Sequence, residues 1–416
     1  MSLYRLEIFT LNSATMKTIT SMTLILLLFS CTGKQNEVNE LTSIAVLSAF
    51  ENTQDTYLST FVDSVDYVQL ESSEKSLINL QPMIELTEDL IIVRNWVRGE
   101  APLLLVFDRK TGKFLREIGR RGRGPDEYSS VPESYFSQKQ EILYTLGSND
   151  NILTYNLQGD IKDNFKIPEQ FHTDIEGLPD AIASASFETY LDSNTFVSYV
   201  HNYSGNEKKK IILFSKDTII KIFPNYLSWE RTPSRNIIVV SPIFYHSDNR
   251  LFFKEPFNDT LFEVKNNELN PRFVFSIGKY GVPYALQNEY ITSGEFINAM
   301  SVNNFTENKY YLFFTIFKDR RSYLSYYEKI TKSLNVCKES DSYPSSIIDD
   351  INGFLPITEF HINERNELIS YFDALSTRKW LNANPERARS LTNKYPWLKD
   401  FDESGNPVIL IAKCKN

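Results

Sequence analysis

The feature that most restricts how this chain can fold is a unit of two strand-like runs joined by a polar turn, repeated along the sequence. It reads "LLLVFDRKTGKFLREIG", "NILTYNLQGDIKDNFKI", "KIILFSKDTIIKIF", "RLFFKEPFNDTLFEVKNNELNPRFVFSIG" and "SYLSYYEKITKSLNVCKE". With Val106, Tyr155, Phe214, Leu261 and Tyr327 taken as equivalent points, the period is about 50 to 65 residues, near that of a four-stranded propeller blade. Gly112 and Gly159 stand where the hairpin turns "DRKTGK" and "NLQGD" need a positive φ.

A sixth unit runs from Ile347 to the C-terminus and is composite. "GFLPITEFHINERNELISYFDA" supplies β-like segments, "TRKWLNANPERARSLTNKYPWLKDF" has a helical texture, and "NPVILIAKCK" is a final apolar strand. The expected architecture is an all-β, six-bladed β-propeller with a short helical insertion near the C-terminus. Its last blade would be closed by strands from both chain ends, with "FVDSVDYVQLE" (Phe61 to Glu71) as the N-terminal partner. A composition of 42% hydrophobic, 13% aromatic and 23% charged residues suits a folded, β-leaning protein.

Residues 16 to 31, "MKTITSMTLILLLFSC", place a lysine before an apolar run too short to span a bilayer, then a serine and a cysteine. This is a secretory signal. It resembles a bacterial lipoprotein signal, which implies Met16 as the start and lipidation of Cys31. The expected organisation is a signal peptide over 1–31, a polar tether over 32–55 beginning "TGKQNEVNE", and the propeller over 56–416. The anchor would hold the protein to a membrane without crossing it. Cys337 and Cys414 remain, more in keeping with two isolated thiols than with a disulfide or metal pair.

"REIGRRGRGPDEY" resembles the signature of the six-bladed β-propeller lipoproteins of Bacteroidetes. Its positions here are Ile118, Gly119, Gly122, Gly124, Pro125, Glu127 and Tyr128. "FNDTLFEV", "LNPRFVFSIG" and "GNPVILIAKCK" are similar to later parts of that family, and the resemblance runs from about Phe61 to Lys415. It implies a propeller akin to the NHL-repeat type, placed in the cell envelope at the outer membrane, on its periplasmic side or at the cell surface.

"GRRGRGP" matches neither the phosphate-loop nor the dinucleotide pattern, so Gly119, Gly122, Gly124 and Pro125 read as a turn between blades with Tyr128 packed beneath it. Arg120, Arg121 and Arg123 would bind an anionic group if the loop lay near the central channel, and would otherwise form a solvated or Glu-paired surface. A net charge of −9 argues against nucleic acid as a partner. His172, His201, His246 and His361 are widely separated, no zinc or serine-nucleophile motif is present, and Asp349 and Asp350 read as a turn with Asn352 and Gly353. Lys208 to Lys210 read as a solvated charge run.

No catalytic residue, metal ligand or cofactor is therefore assigned. The leading expectation is a non-catalytic module, held to the membrane through Cys31, that binds a glycan, a small molecule or an envelope protein. A carbohydrate-active hydrolase or lyase acting at the channel, and a structural envelope scaffold, are the alternatives.

Overall fold

The computed structural model describes residues 41–416 apart from 79–81, 96–102, 129–133, 148–150, 169–171, 174–181, 184, 217, 232–239 and 293–297. Among the described residues, the strands form six radial sheets of four or five strands and two further two-stranded pairs. Blade 1 runs from its innermost strand outward as Met83–Leu86, Leu90–Asn95, Leu103–Asp108 and Phe114–Glu117. Blade 2 is Ser134–Ser137, Ile142–Leu146, Asn151–Asn156 and Ile161–Lys166; blade 3 is Ala185–Tyr190, Phe196–Val200, Lys209–Phe214 and Ile219–Pro224. Blade 4 is Ile243–Ser247, Arg250–Lys254, Thr260–Lys265 and Glu268–Ser276; blade 5 is Ser301–Glu307, Tyr311–Lys318, Arg321–Glu328 and Ser333–Cys337.

Blade 6 closes the ring. Its inner strands are His361–Ile362, Glu367–Phe372 and Val408–Cys414, and its outermost strand, Val62–Gln69, comes from the other end of the chain. That strand pairs antiparallel with Val408–Cys414, from Val408↔Gln69 to Cys414↔Val62. The expected architecture is thus the observed one. Blade 3 is a full four-stranded sheet with a bulge between Phe187 and Thr189.

The apolar runs are nearly continuous because each blade is buried on both faces. In "LLLVF", Leu104 and Val106 enter the cluster shared with blade 2, whereas Leu105 and Phe107 enter the cluster shared with blade 6. Phe252 likewise faces blade 5 while Leu251 and Phe253 face blade 3. Six such clusters fill the six gaps between neighbouring blades.

Polar ties cross the same gaps. Arg109 joins blade 1 to Glu367 of blade 6 at 2.6 Å, and Gln138 Nε2 of blade 2 donates to the Leu86 carbonyl of blade 1 at 2.7 Å. Lys216 of blade 3 pairs with Asp163 of blade 2, and His246 Nε2 of blade 4 donates to the Tyr190 carbonyl of blade 3 at 2.9 Å. Arg272 of blade 4 reaches Glu307 of blade 5 at 2.6 Å, and Thr306 Oγ1 of blade 5 accepts from the Ile362 amide of blade 6 at 2.7 Å. Gly112, at φ 69°, lets the outer hairpin of blade 1 touch blade 6, since a Cβ there would lie 1.9 Å from the Gln69 carbonyl oxygen.

Two features depart from the sequence expectation. Residues 42–54, assigned to the tether, lie on the propeller. Thr42–Ala45 adds a fifth, parallel strand to blade 4 against Phe273–Ser276, and Thr53–Gln54 adds one to blade 5 against Val336–Cys337. Ile44, Val46 and Ala49 are buried between those blades, so this stretch caps sheet edges that would otherwise be unpaired. The lysine run also differs, because Lys210 pairs with the buried Glu255 at 2.6 Å.

The helical insertion, Ala374–Ala383 and Pro385–Lys394, sits between the second and third strands of blade 6. Asp373 caps the first helix by accepting from the Ser376 amide, and Trp380, Leu381 and Leu391 pack with Tyr67 and Phe354 into the cluster of blades 5 and 6. Cys337 and Cys414 are buried, free thiols. Cys31 lies outside the described residues. Among the described residues, no helix is long and apolar enough to cross a membrane.

Glu307 is 2% exposed and holds both Arg272 and Lys329. Replacing it by alanine leaves two cations without their counter-charge and should lower unfolding free energy by about 3 kcal/mol or more, whereas Lys216→Ala at the exposed pair should change it by less than about 1 kcal/mol. Urea denaturation of both variants checks the contrast.

Candidate functional site

The glycine and arginine loop leads from the outer strand of blade 1 to the inner strand of blade 2. The Tyr128 hydroxyl donates to the Ile118 carbonyl at 3.0 Å, and its ring lies where a Cβ on Gly119, at φ 73°, would approach to 2.7 Å. The Gly124 amide donates to Glu127 Oε2 at 2.8 Å, and that carboxylate fills the space beside Gly122, where a Cβ would come within 1.9 Å of it. The loop is pinned from outside by Asn164, whose Nδ2 donates to the Pro125 carbonyl at 2.9 Å. It is a turn with Tyr128 packed beneath it. Arg120, Arg121 and Arg123 are exposed, and none of the three lines the central channel.

The channel itself is a cavity of about 360 Å³ to which the innermost strands of all six blades contribute. Its aromatic lining includes Tyr135, Phe136, Tyr190, Phe244, Tyr245 and Phe360. Two irregular inner strands shape it: a bulge between Asn303 and Thr306 puts Asn304 at φ 53° in blade 5, and the blade 3 bulge precedes Thr189.

Its ionisable groups, Glu85, His246, His361 and Glu364, are all partly buried. Glu85 is half-buried, and desolvation raises its carboxyl to about 7, against the pull of Arg94 and with the help of repulsion from Glu364. Glu364 is itself raised by burial. Burial pushes His246 and His361 down to about 4, so both rings are neutral at pH 7. His246 donates from Nε2 to the Tyr190 carbonyl and stacks on the Tyr190 ring at 4.3 Å, which leaves its Nδ1 as an acceptor. Gln138 Oε1, Thr189 Oγ1 and His361 Nε2 are buried without a hydrogen-bond partner among the described residues.

The sequence offered the channel as the site of the alternative enzymatic reading, but the residues it named for a site were the loop arginines, and none of the channel's own lining was singled out as one. His246 and His361 do occupy strands, but the strands lie about a hundred residues apart, and only ring closure brings them together with Glu85. His201 lies elsewhere, stacked on Tyr203 at 5.1 Å; His172 is in a short strand. Asp349 and Asp350 serve as turn and strap: Asp349 accepts from the amides of Ile351, Asn352 and Phe354 and from the Tyr67 hydroxyl, and Asp350 accepts from the Ser59 amide at 2.9 Å. Among the described residues, no group of three or more His, Cys, Asp or Glu is placed to hold a metal.

The profile of a family described as a domain of unknown function, DUF4934, matches residues 41–413. No curated protein matches the chain. Among solved structures, a Bacteroides fragilis protein assigned as exported is 16% identical, with 90% of this chain and 100% of that chain covered at a TM-score of 0.62. A member of the DUF4221 family from Bacteroides vulgatus is 13% identical over 85% of this chain and 98% of that chain, at a TM-score of 0.48. At 16% identity the likeness to the Bacteroides fragilis protein is one of fold.

The channel carboxyl has a pH signature. Between about pH 4.5 and 7 the folded protein keeps the Glu85 proton that the unfolded chain has released, so this group's contribution to stability falls as pH rises through that window. Glu85→Gln should therefore raise the melting temperature relative to the parent at pH 8 and leave it nearly unchanged at pH 4.5. The buried histidines act oppositely, with stability lost as pH falls from about 6.5 through 4, and they cancel in the comparison.

Proposed function

The chain belongs to the DUF4934 family, and we propose that its propeller is a non-catalytic binding module of the cell envelope whose small-molecule or glycan ligand sits in the central channel. One observation carries this reading: all six innermost strands meet in one cavity of about 360 Å³ that combines aromatic walls with buried polar atoms lacking partners among the described residues. A buried acceptor or hydroxyl left without a hydrogen bond is unfavourable, and a turn of such a side chain toward the cavity lets a polar ligand supply the missing bond. Aromatic faces beside donors and acceptors suit a molecule with both C–H and O–H edges, such as a sugar.

Export is supported by the signal-like stretch before Cys31 and by the similar Bacteroides fragilis protein assigned as exported. The lipid on Cys31 would tie the module to the membrane, at the periplasmic side of the outer membrane or at the cell surface. A second reading, a carbohydrate-active hydrolase or lyase, draws on the proximity of Glu85 and Glu364, since carboxyls of unequal environment can divide acid and base roles.

A melting-temperature screen of residues 41–416 against glycans and small polar molecules should give hits that Thr189→Val abolishes and Arg120→Ala leaves intact. Hits insensitive to Thr189→Val would remove the channel as the site. Turnover of a hit, lost in Glu85→Gln, would replace the binding reading with the enzymatic one. For the anchor, an alkynyl fatty acid fed to expressing cells should label the full chain, and Cys31→Ser should remove the label.

A further inference from the structure

A second cavity, of about 300 Å³, lies between blades 4 and 5, and it does not belong to the central channel. Strands alternate direction within a blade, so the turn after Lys254 and the connection from blade 4 to blade 5 emerge on the same face, and the cavity forms between them. Its walls mix apolar side chains, Ile277, Val282, Met300 and Val302 among them, with polar ones such as Asn258, Asp259 and Ser301.

Lys254, the last residue of the second strand of blade 4, lines this cavity and is 6% exposed. Its amine makes no ion pair and no side-chain hydrogen bond among the described residues. The adjoining Glu255 is committed to Lys210 at 2.6 Å, with its Oε1 buried and unpartnered. A buried ammonium without a direct partner is unfavourable, so packing alone does not account for a lysine here. The turn beyond it is strained: Phe257 adopts φ 57°, a left-handed conformation that a bulky side chain rarely takes, and its ring meets Tyr290 edge-on at 5.6 Å. Asp259, half-buried in the same wall, acts electrostatically on the amine, and burial raises its own carboxyl.

The facing charges narrow the ligand. Apart from Lys254, the acidic or basic groups in the lining are Asp259 and Glu255, so an added anion would meet two carboxyl groups, whereas a neutral carbonyl compound with an apolar body meets none that it repels. We infer that this cavity is a second site, for an aldehyde or ketone with an apolar body, held through an imine to Lys254. The Nζ lone pair attacks the carbonyl carbon and forms the N–C bond. The carbonyl oxygen then leaves as water, carrying both hydrogens of the neutral amine, and no oxidant, reductant or further reactant is consumed. Burial supports the chemistry by holding the amine at about 8, which leaves a sizeable neutral fraction at pH 7.

Butanal with cyanoborohydride at pH 7 traps such an imine as a secondary amine, and peptide mass spectrometry locates it. On residues 41–416, Lys254 should be alkylated on the order of ten times or more faster than the exposed Lys332. Lys254→Met should abolish that fast site while keeping or raising the melting temperature, because it removes a buried charge. Labelling of Lys254 no faster than of Lys332 overturns the inference. So would a lowered melting temperature of the Lys254→Met variant, which would assign the amine a structural role. Neither result bears on the channel, whose ligands are read with Thr189→Val.

Discussion

Everything in this molecule depends on a closed ring in which each sheet is covered on both faces by its neighbours. A single blade is apolar on both sides and has nothing to hide them against; six together leave no uncovered face. Closure is achieved by one antiparallel pairing, Val62–Gln69 on Val408–Cys414, between strands more than three hundred residues apart. Ionic and hydrogen-bonded ties repeat the closure at every gap, from Arg109–Glu367 to Thr306–Ile362, so the ring is fastened in its core and along its polar edges. The buried ties fix how neighbouring blades are oriented, because they tolerate little displacement before a charge is left without its partner.

The same arrangement explains which features could be read along the chain. Val106, Tyr155, Phe214, Leu261 and Tyr327, aligned from sequence, all fall on the third strand of their blades. That register was legible because the third strand and the turn after it form a local unit, with the polar tip and the apolar run adjacent in sequence. The N-terminal stretch was misread for the converse reason: Thr42–Ala45 is strand only because the edge of blade 4 lies beside it, and its pairing partner is more than two hundred residues away.

The candidate sites were less legible still. The arginines of "GRRGRGP" draw the eye because they are clustered in sequence, yet the glycines beside them are explained by the close approach of Tyr128, Tyr155 and Glu127. Glu85, Thr189, His246 and His361 are each unremarkable in sequence and become a constellation only at the ring's axis. Lys254 is hidden more thoroughly, since "RLFFKEPF" reads in sequence only as part of a repeated strand and turn unit. Only the packing of blade 5 beside blade 4 turns it into the wall of a cavity.

The parallel strand Thr42–Ala45 has a mechanical consequence. Tension drawn along the chain at residue 41 reaches the outside of blade 4 first, where four residue pairs run parallel to Phe273–Ser276. A pull along that strand shears the pairs together instead of peeling them one by one. Short parallel pairings at Thr53–Gln54 and Thr56–Tyr57 follow before the chain enters the ring-closing strand. The segment thus works as a cleat, spreading load over blades 4 and 5 before any of it reaches the strand that keeps the ring shut.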